Sequence, residues 1–307
     1  MPTLEHRATR GKKNVSVSGL GTMALECIGE FNAFSPRPDV LWHYTSSEGL
    51  IGILGQHSLR FSEAPFLNDG SELQYGFEMF SYLIRTFVAD KDDALRDYVE
   101  QLIHGVDLTL EKLSSVVFCM CSEPNLLNQW RDYGKDVVPY CIGFNSAEIT
   151  NTGNFSFNSY LVEIIYDYDT QMKIFNRFIW RLHEWYRKLP ESAASDADQY
   201  LAEAAAQVST LILRFKNSAF AAEREWRLIS HIPEIRSRSE RKFRSSSLGV
   251  VPYYELKRTV NPRQLPVTAV FVGPSPYGKI SHKALRDFLD VNGYGSAMSN
   301  YSTIPIR

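Results

Sequence analysis

The sequence predicts an α+β protein built on a mixed, mostly antiparallel sheet, with its helices grouped in insertions. Three observations carry this expectation. Strand-length apolar and aromatic runs recur from Val40 to Val272, but the helical stretches between them come at irregular intervals. That pattern lacks the regular alternation of a doubly wound parallel sheet. Apolar residues at spacings of three and four mark the intervening stretches as amphipathic helices. No G-x-G-x-x-G and no G-x-x-x-x-G-K-[ST] follows a strand-like run, so neither a Rossmann nor a P-loop nucleotide site is indicated.

In chain order, residues 1–38 read as a weakly structured lead-in that closes on the turn-rich Ser35-Pro36-Arg37-Pro38, and residues 39–307 as one domain. Val40 to Tyr44 reads as the first strand. Thr45 is then expected to cap a helix, with Glu48 completing a capping box and Leu50, Ile51, Ile53 and Leu54 forming the buried face. Leu59 to Ser62 is a second strand, followed by the turn signal Asn68-Asp69-Gly70. Two amphipathic helices follow, one carried by Leu73, Phe77, Phe80, Ile84 and Phe87, the other by Leu95, Val99, Leu102, Val106, Leu110 and Leu113. Val116 to Cys121 and Tyr140 to Phe144 read as buried strands around a polar, partly helical insert, and Leu161 to Tyr166 continues the sheet. A helical insert at about 170–220 combines the stripe Met172, Phe175, Ile179, Leu182, Trp185 with an Ala-rich segment at 193–215. Glu225 to His231, Gly249 to Tyr253 and Val267 to Val272 return to strand character. A last helix ends near Gly293 and Gly295, which suit a C-terminal cap.

The chain has 307 residues, 44% of them hydrophobic and 13% aromatic, enough for a substantial core. A formal net charge of -2 leaves no global field to steer the protein to nucleic acid or a membrane. The four cysteines show no C-x-x-C spacing and read as reduced core thiols, and the scattered histidines predict no metal site. With no apolar run long enough to span a bilayer and no leader-like segment, a cytoplasmic protein without membrane partners is expected.

Four constellations could carry chemistry. Trp42-His43-Tyr44-Thr45 sits where a strand gives way to a helix, a junction that exposes side chains and amide groups together. Glu223-Arg224-Glu225-Trp226-Arg227 reads as a strand with Glu223, Glu225 and Arg227 on one face, which requires a polar cleft or open solvent. Trp130-Arg131-Asp132-Tyr133-Gly134 and Asn68-Asp69-Gly70-Ser71-Glu72 also fit ordinary turn and cap chemistry. The basic run Arg236, Arg238, Arg241, Lys242, Arg244 reads as a solvated loop or a phosphate or nucleic-acid contact.

Taken in order, these segments resemble the bacterial domain-of-unknown-function family 2971. The resemblance rests on Leu41-Trp42-His43-Tyr44-Thr45-Ser46, Leu59-Arg60-Phe61-Ser62 leading to Asn68-Asp69, and Phe118-Cys119-Met120-Cys121-Ser122. It continues through Asn128-Gln129-Trp130-Arg131-Asp132-Tyr133-Gly134, Cys141-Ile142-Gly143-Phe144, Glu223-x-Glu225-Trp226-Arg227-Leu228 and Val272-Gly273-Pro274. Its His-Tyr-Thr and Glu-x-Glu-Trp-Arg elements are in turn similar to the His and Glu elements of the ADP-ribosyltransferase superfamily. That similarity implies an ADP-ribosyltransferase-like sheet and NAD as the substrate. The acceptor would be protein, nucleic acid or water, in a toxin or a phage-defence effector. It also implies that His43 binds ribose, Glu225 is the catalytic carboxylate and Glu223, on the loop before it, orients the acceptor. Tyr133 or Tyr140 would stack on nicotinamide, and Arg60, Arg131 or Arg227 would meet the pyrophosphate. Tyr44, Thr45, Asn68 and Trp130 complete the expected binding set. The alternative is a non-catalytic nucleotide- or nucleic-acid-binding module; a protein-interaction role for the 170–220 insert is a third reading.

Overall fold

The computed structural model describes residues 20–31, 35–67, 71–112, 115–134, 137–150, 159–188, 197–231, 240–246, 249–259 and 264–305. Its strands are β1 (Val40–Thr45), β2 (Ser58–Glu63), β3 (Ser115–Cys121), β4 (Tyr140–Asn145), β5 (Ser159–Glu163), β6 (Glu225–His231), β7 (Lys242–Ser246), β8 (Gly249–Lys257), β9 (Val267–Val272) and β10 (Met298–Tyr301). The helices are α1 (Met23–Glu30), α2 (Ser47–Gly55), α3 (Ser71–Val88), α4 (Asp93–Lys112), α5 (Leu127–Tyr133), α6 (Ser146–Ile149), α7 (Tyr168–Tyr186), α8 (Ala197–Ile212) and α9 (Gly278–Val291). All ten strands join one sheet along the path β10-β9-β4-β1-β3-β2-β8-β7, with β6 and then β5 branching from β3. Only β9 and β10 pair in parallel; every other strand pairing is antiparallel. The fold is therefore mixed α and β on a mostly antiparallel open sheet.

Strand alternation sorts the sheet into two faces. One carries Leu41, Leu59, Phe61, Phe118, Ile142, Phe144 and Leu228, and buries them beneath Leu50, Ile53 and Leu54 of α2 and Leu285 and Leu289 of α9. The opposite face receives α5 over Trp42, Tyr44, Cys121 and Cys141. Helices α1, α3, α4, α7 and α8 form a second apolar core, whose largest members include Phe80, Phe175, Phe178 and Phe215. Leu73 of α3 packs against both this core and the sheet-side cluster of Val117, Val162 and Ile229.

Several local expectations are corrected. The cap of α2 is Ser46, whose Oγ accepts from the Gly49 amide at 3.1 Å; Thr45 is the last residue of β1. The extended backbone of Ser46 (φ -75°, ψ 171°) places that hydroxyl over the first turn. Ile51 faces solvent. Met23–Glu30 forms a helix inside the stretch read as weakly structured, because Met23, Ala24, Cys27 and Ile28 find the helical core. The basic run enters strand β7 at Lys242, and Arg236 and Arg238 lie outside the described residues. Leu113 and the Asn68-Asp69-Gly70 turn also lie outside them. Glu223 is not on the strand: it ends a 3₁₀ turn, Ser218–Glu223, and β6 begins only after Arg224 takes the left-handed conformation at φ 50°. Among the described residues, no helix is long and apolar enough to cross a membrane.

Candidate functional site

The sheet splits at its centre. One edge of β3 pairs with β6 throughout, from Ser115↔His231 to Cys121↔Glu225. The other edge is shared: β1 touches it only at Trp42↔Cys121, and β2 only at Ser62↔Val117 and Glu63↔Val116. Between those contacts β1 and β2 part, and a cavity of about 350 Å³ opens in the gap. That volume falls at the lower end of the roughly 300–1,000 Å³ range of small-molecule sites. The split exposes one edge carbonyl of β3, that of Cys119, and His43 satisfies it: Nδ1 lies 2.8 Å from the Cys119 oxygen, with the ring stacked 4.3 Å from Phe118.

A carbonyl only accepts, so the proton of His43 sits on Nδ1 and Nε2 is left as an acceptor. Burial pushes the imidazole down to about 4, with the Cys119 carbonyl opposing and Arg244 adding to the shift; the ring is neutral near pH 7. By alternation His43 lies on the face of Leu41 and Ile142, whereas Glu225 and Arg227 project from the other face beside Cys119. All four line the cavity because it runs through the split.

On that second face lies a buried ion network. Arg227, 1% exposed, binds both oxygens of Glu225, through Nε at 2.7 Å and Nη2 at 2.8 Å, and also pairs with Glu72. Lys216, equally buried, reaches Glu72 at 2.6 Å, Glu223 at 2.7 Å and Glu225 at 3.3 Å. Three carboxylates thus share two cations. Burial alone pushes the Glu225 carboxyl up, but Arg227 and Lys216 overcome it and hold the group at about 2. Glu223 goes the other way: burial raises it, and Lys216 only partly offsets the rise. Burial, and then the neighbouring Glu223 and Glu225, push the Tyr133 hydroxyl well up, so it remains a donor.

Of the residues named from sequence, His43, Tyr44, Thr45, Arg60, Tyr133, Glu225 and Arg227 line the cavity. Tyr140 does not line it; it pairs with Val272 and Thr45 within the sheet, so of Tyr133 and Tyr140 it is Tyr133 that reaches the cavity. Glu223 reaches the cluster through Lys216. Trp130 is packed edge-on against Tyr44 at 4.5 Å, with its indole N–H donating to Asn125, and Arg131 is exposed on α5, away from the cavity. Asn68 lies outside the described residues.

Sequence reasoning missed the parts that hold the site together. Glu72 stands in a constellation that also fits turn and cap chemistry, with no role of its own read from sequence, yet it lines the cavity and binds both cations. Lys216 lies between α8 and the 3₁₀ turn with no motif around it. Arg244 belongs to the basic run read as a solvated loop or a phosphate or nucleic-acid contact, and it lines the cavity from β7 with Ser245 and Ser246. Among the described residues, no group of three or more His, Cys, Asp or Glu side chains is placed to hold a metal ion, and the four cysteines are free thiols.

Residues 129–228 match a family model whose description is Protein of unknown function (DUF2971). The match takes in Tyr133, Lys216, Glu223, Glu225 and Arg227; His43, Arg60, Glu72 and Arg244 fall before or after it. No curated protein and no solved structure matches the chain.

Proposed function

We propose that the cavity binds NAD and that Glu225 promotes loss of nicotinamide, which makes the protein an NAD-dependent ADP-ribosyltransferase or NAD glycohydrolase. One observation carries the reading: His43 and Glu225, from opposite faces of the sheet, line a single cavity with Tyr133. In the reaction the bond between ribose C1′ and the nicotinamide nitrogen breaks, and its electron pair leaves with nicotinamide. Positive charge then develops on the sugar, as in glycoside hydrolysis. A cluster with three carboxylates and two cations is suited to stabilise that charge. Arg227 takes two lone-pair sites of Glu225 and Lys216 a third; a carboxylate has about four, so a ribose hydroxyl would take the fourth in place of the Cys119 thiol. His43 Nε2 accepts from another hydroxyl, and Tyr133 offers a face to the leaving ring. Water, or a nucleophile on protein or nucleic acid, then adds at C1′ and loses its proton. Nicotinamide release by the purified protein, beside Glu225→Gln, tests the reading.

A second reading, a nucleotide-binding module without turnover, is favoured by the grip of Arg227 on both oxygens of Glu225. It predicts that NAD binds and stays intact.

A further inference from the structure

Of the three arginines that the resemblance offers to the pyrophosphate, Arg60 lines an end of the cavity whose charge is opposite to that of the Glu225 cluster. Arg60 of β2 and Arg244 of β7 line it together with Ser62 and the start of α2 at Ser46 and Gly49. By register Arg60, Ser62 and Arg244 share one sheet face: Ser62 pairs with Tyr253, which also pairs with Lys242, two residues before Arg244. Other cations of this region are neutralised. Arg241 pairs with Glu63 at 2.6 Å and Lys242 with Glu255 at 2.7 Å. Among the described residues, neither Arg60 nor Arg244 has such a carboxylate partner. Arg244 donates to the Ser62 hydroxyl at 3.1 Å, and Arg60 lies 5.4 Å over the Tyr253 ring with its Nε buried and unbonded.

Two guanidinium groups with no ion-paired carboxylate among the described residues repel each other, although Glu48 lines the same cavity. Burial pushes Arg244 below its ordinary value, and Arg60 pushes it further; Glu48, exposed at the rim, is the opposing carboxylate. Gly52 leaves room for the Arg60 guanidinium, which a Cβ there would displace. The positive end of the α2 dipole points to the same place. We propose that Arg60, Arg244, Ser62 and the N-terminus of α2 form a phosphate subsite for the diphosphate of a nucleotide. This deepens the reading above and rests on it for the nature of the ligand: the phosphates lie at the β2–β7 end, and the scissile ribose lies toward Glu225.

The test is calorimetric binding of ADP and of inorganic pyrophosphate to the full chain, at low and at raised salt. ADP should bind, more weakly as salt rises. Arg244→Gln should weaken it by about 10- to 100-fold, the effect expected for a lost charge-assisted hydrogen bond. Arg60→Gln should do the same; if that variant unfolds, Arg244→Gln at its half-buried position carries the test. Arg241→Gln, paired on the surface, should leave affinity unchanged. Failure of wild type to bind either ligand, or equal binding by Arg244→Gln, overturns the subsite. Nicotinamide release that is indifferent to Arg60 and Arg244 would remove the subsite and leave the NAD reading standing. Arginine-dependent ADP binding without nicotinamide release would remove the NAD reading and leave the subsite.

Discussion

At the residue scale, Lys216 and His43 perform the least visible work. Among the described residues, Lys216 is the only ammonium in contact with all three carboxylates of the network, and it is 1% exposed. Lys216→Met leaves Glu72, Glu223 and Glu225 facing Arg227 alone. Breaking a buried pair in this way costs about 3–5 kcal/mol, and urea denaturation should show a loss of that order. His43 makes a pH prediction. Its folded value, about 4, lies below the ordinary 6.5, so the unfolded chain binds more protons between those limits. Stability from this group is complete above about pH 6.5 and is lost as pH falls toward 4, by about 3 kcal/mol in total. His43→Gln should flatten the wild-type stability curve across that window; an unchanged slope would place the titration elsewhere.

At the element scale, the junction between β1 and α2 sets the cavity wall. Ser46→Ala should destabilise the protein by about 1 kcal/mol through loss of the cap, and Thr45→Ala should lose no cap. The comparison separates the observed cap from the one read in the sequence, where two adjacent hydroxyl residues made the choice ambiguous. Strands with strong apolar or aromatic runs, such as Val40–Thr45 and Ser115–Cys121, were legible because burial on one or both faces leaves a clear pattern. β7 was not, because its exposed Lys-Phe-Arg-Ser-Ser sequence follows no apolar rule, and an edge strand needs none. The site was half legible for a related reason. His43 and Glu225 stand in recognisable short motifs, whereas Glu72 and Lys216 join Glu225 through buried ion pairs and Arg244 reaches the cavity from β7, tertiary contacts with no local signature.

At the scale of the whole molecule, the sheet brings one cavity a carboxylate-rich end and an arginine end, while a separate helical core supplies much of the buried apolar surface. As pH falls below about 4.5, protonation of Glu225, whose carboxyl Arg227 and Lys216 hold below its ordinary range in the folded state, removes a further contribution to stability. Acid unfolding should therefore start later in Glu225→Gln relative to its own neutral-pH stability. The most direct measurement of the central claim is nicotinamide release from NAD by the purified wild-type chain beside Glu225→Gln, with both shown to be folded. The account predicts release by wild type and a loss of at least about 100-fold in the variant, the size expected when a group stabilising transition-state charge is removed. Equal release by the two proteins, or none by a wild-type chain that binds NAD, would contradict it.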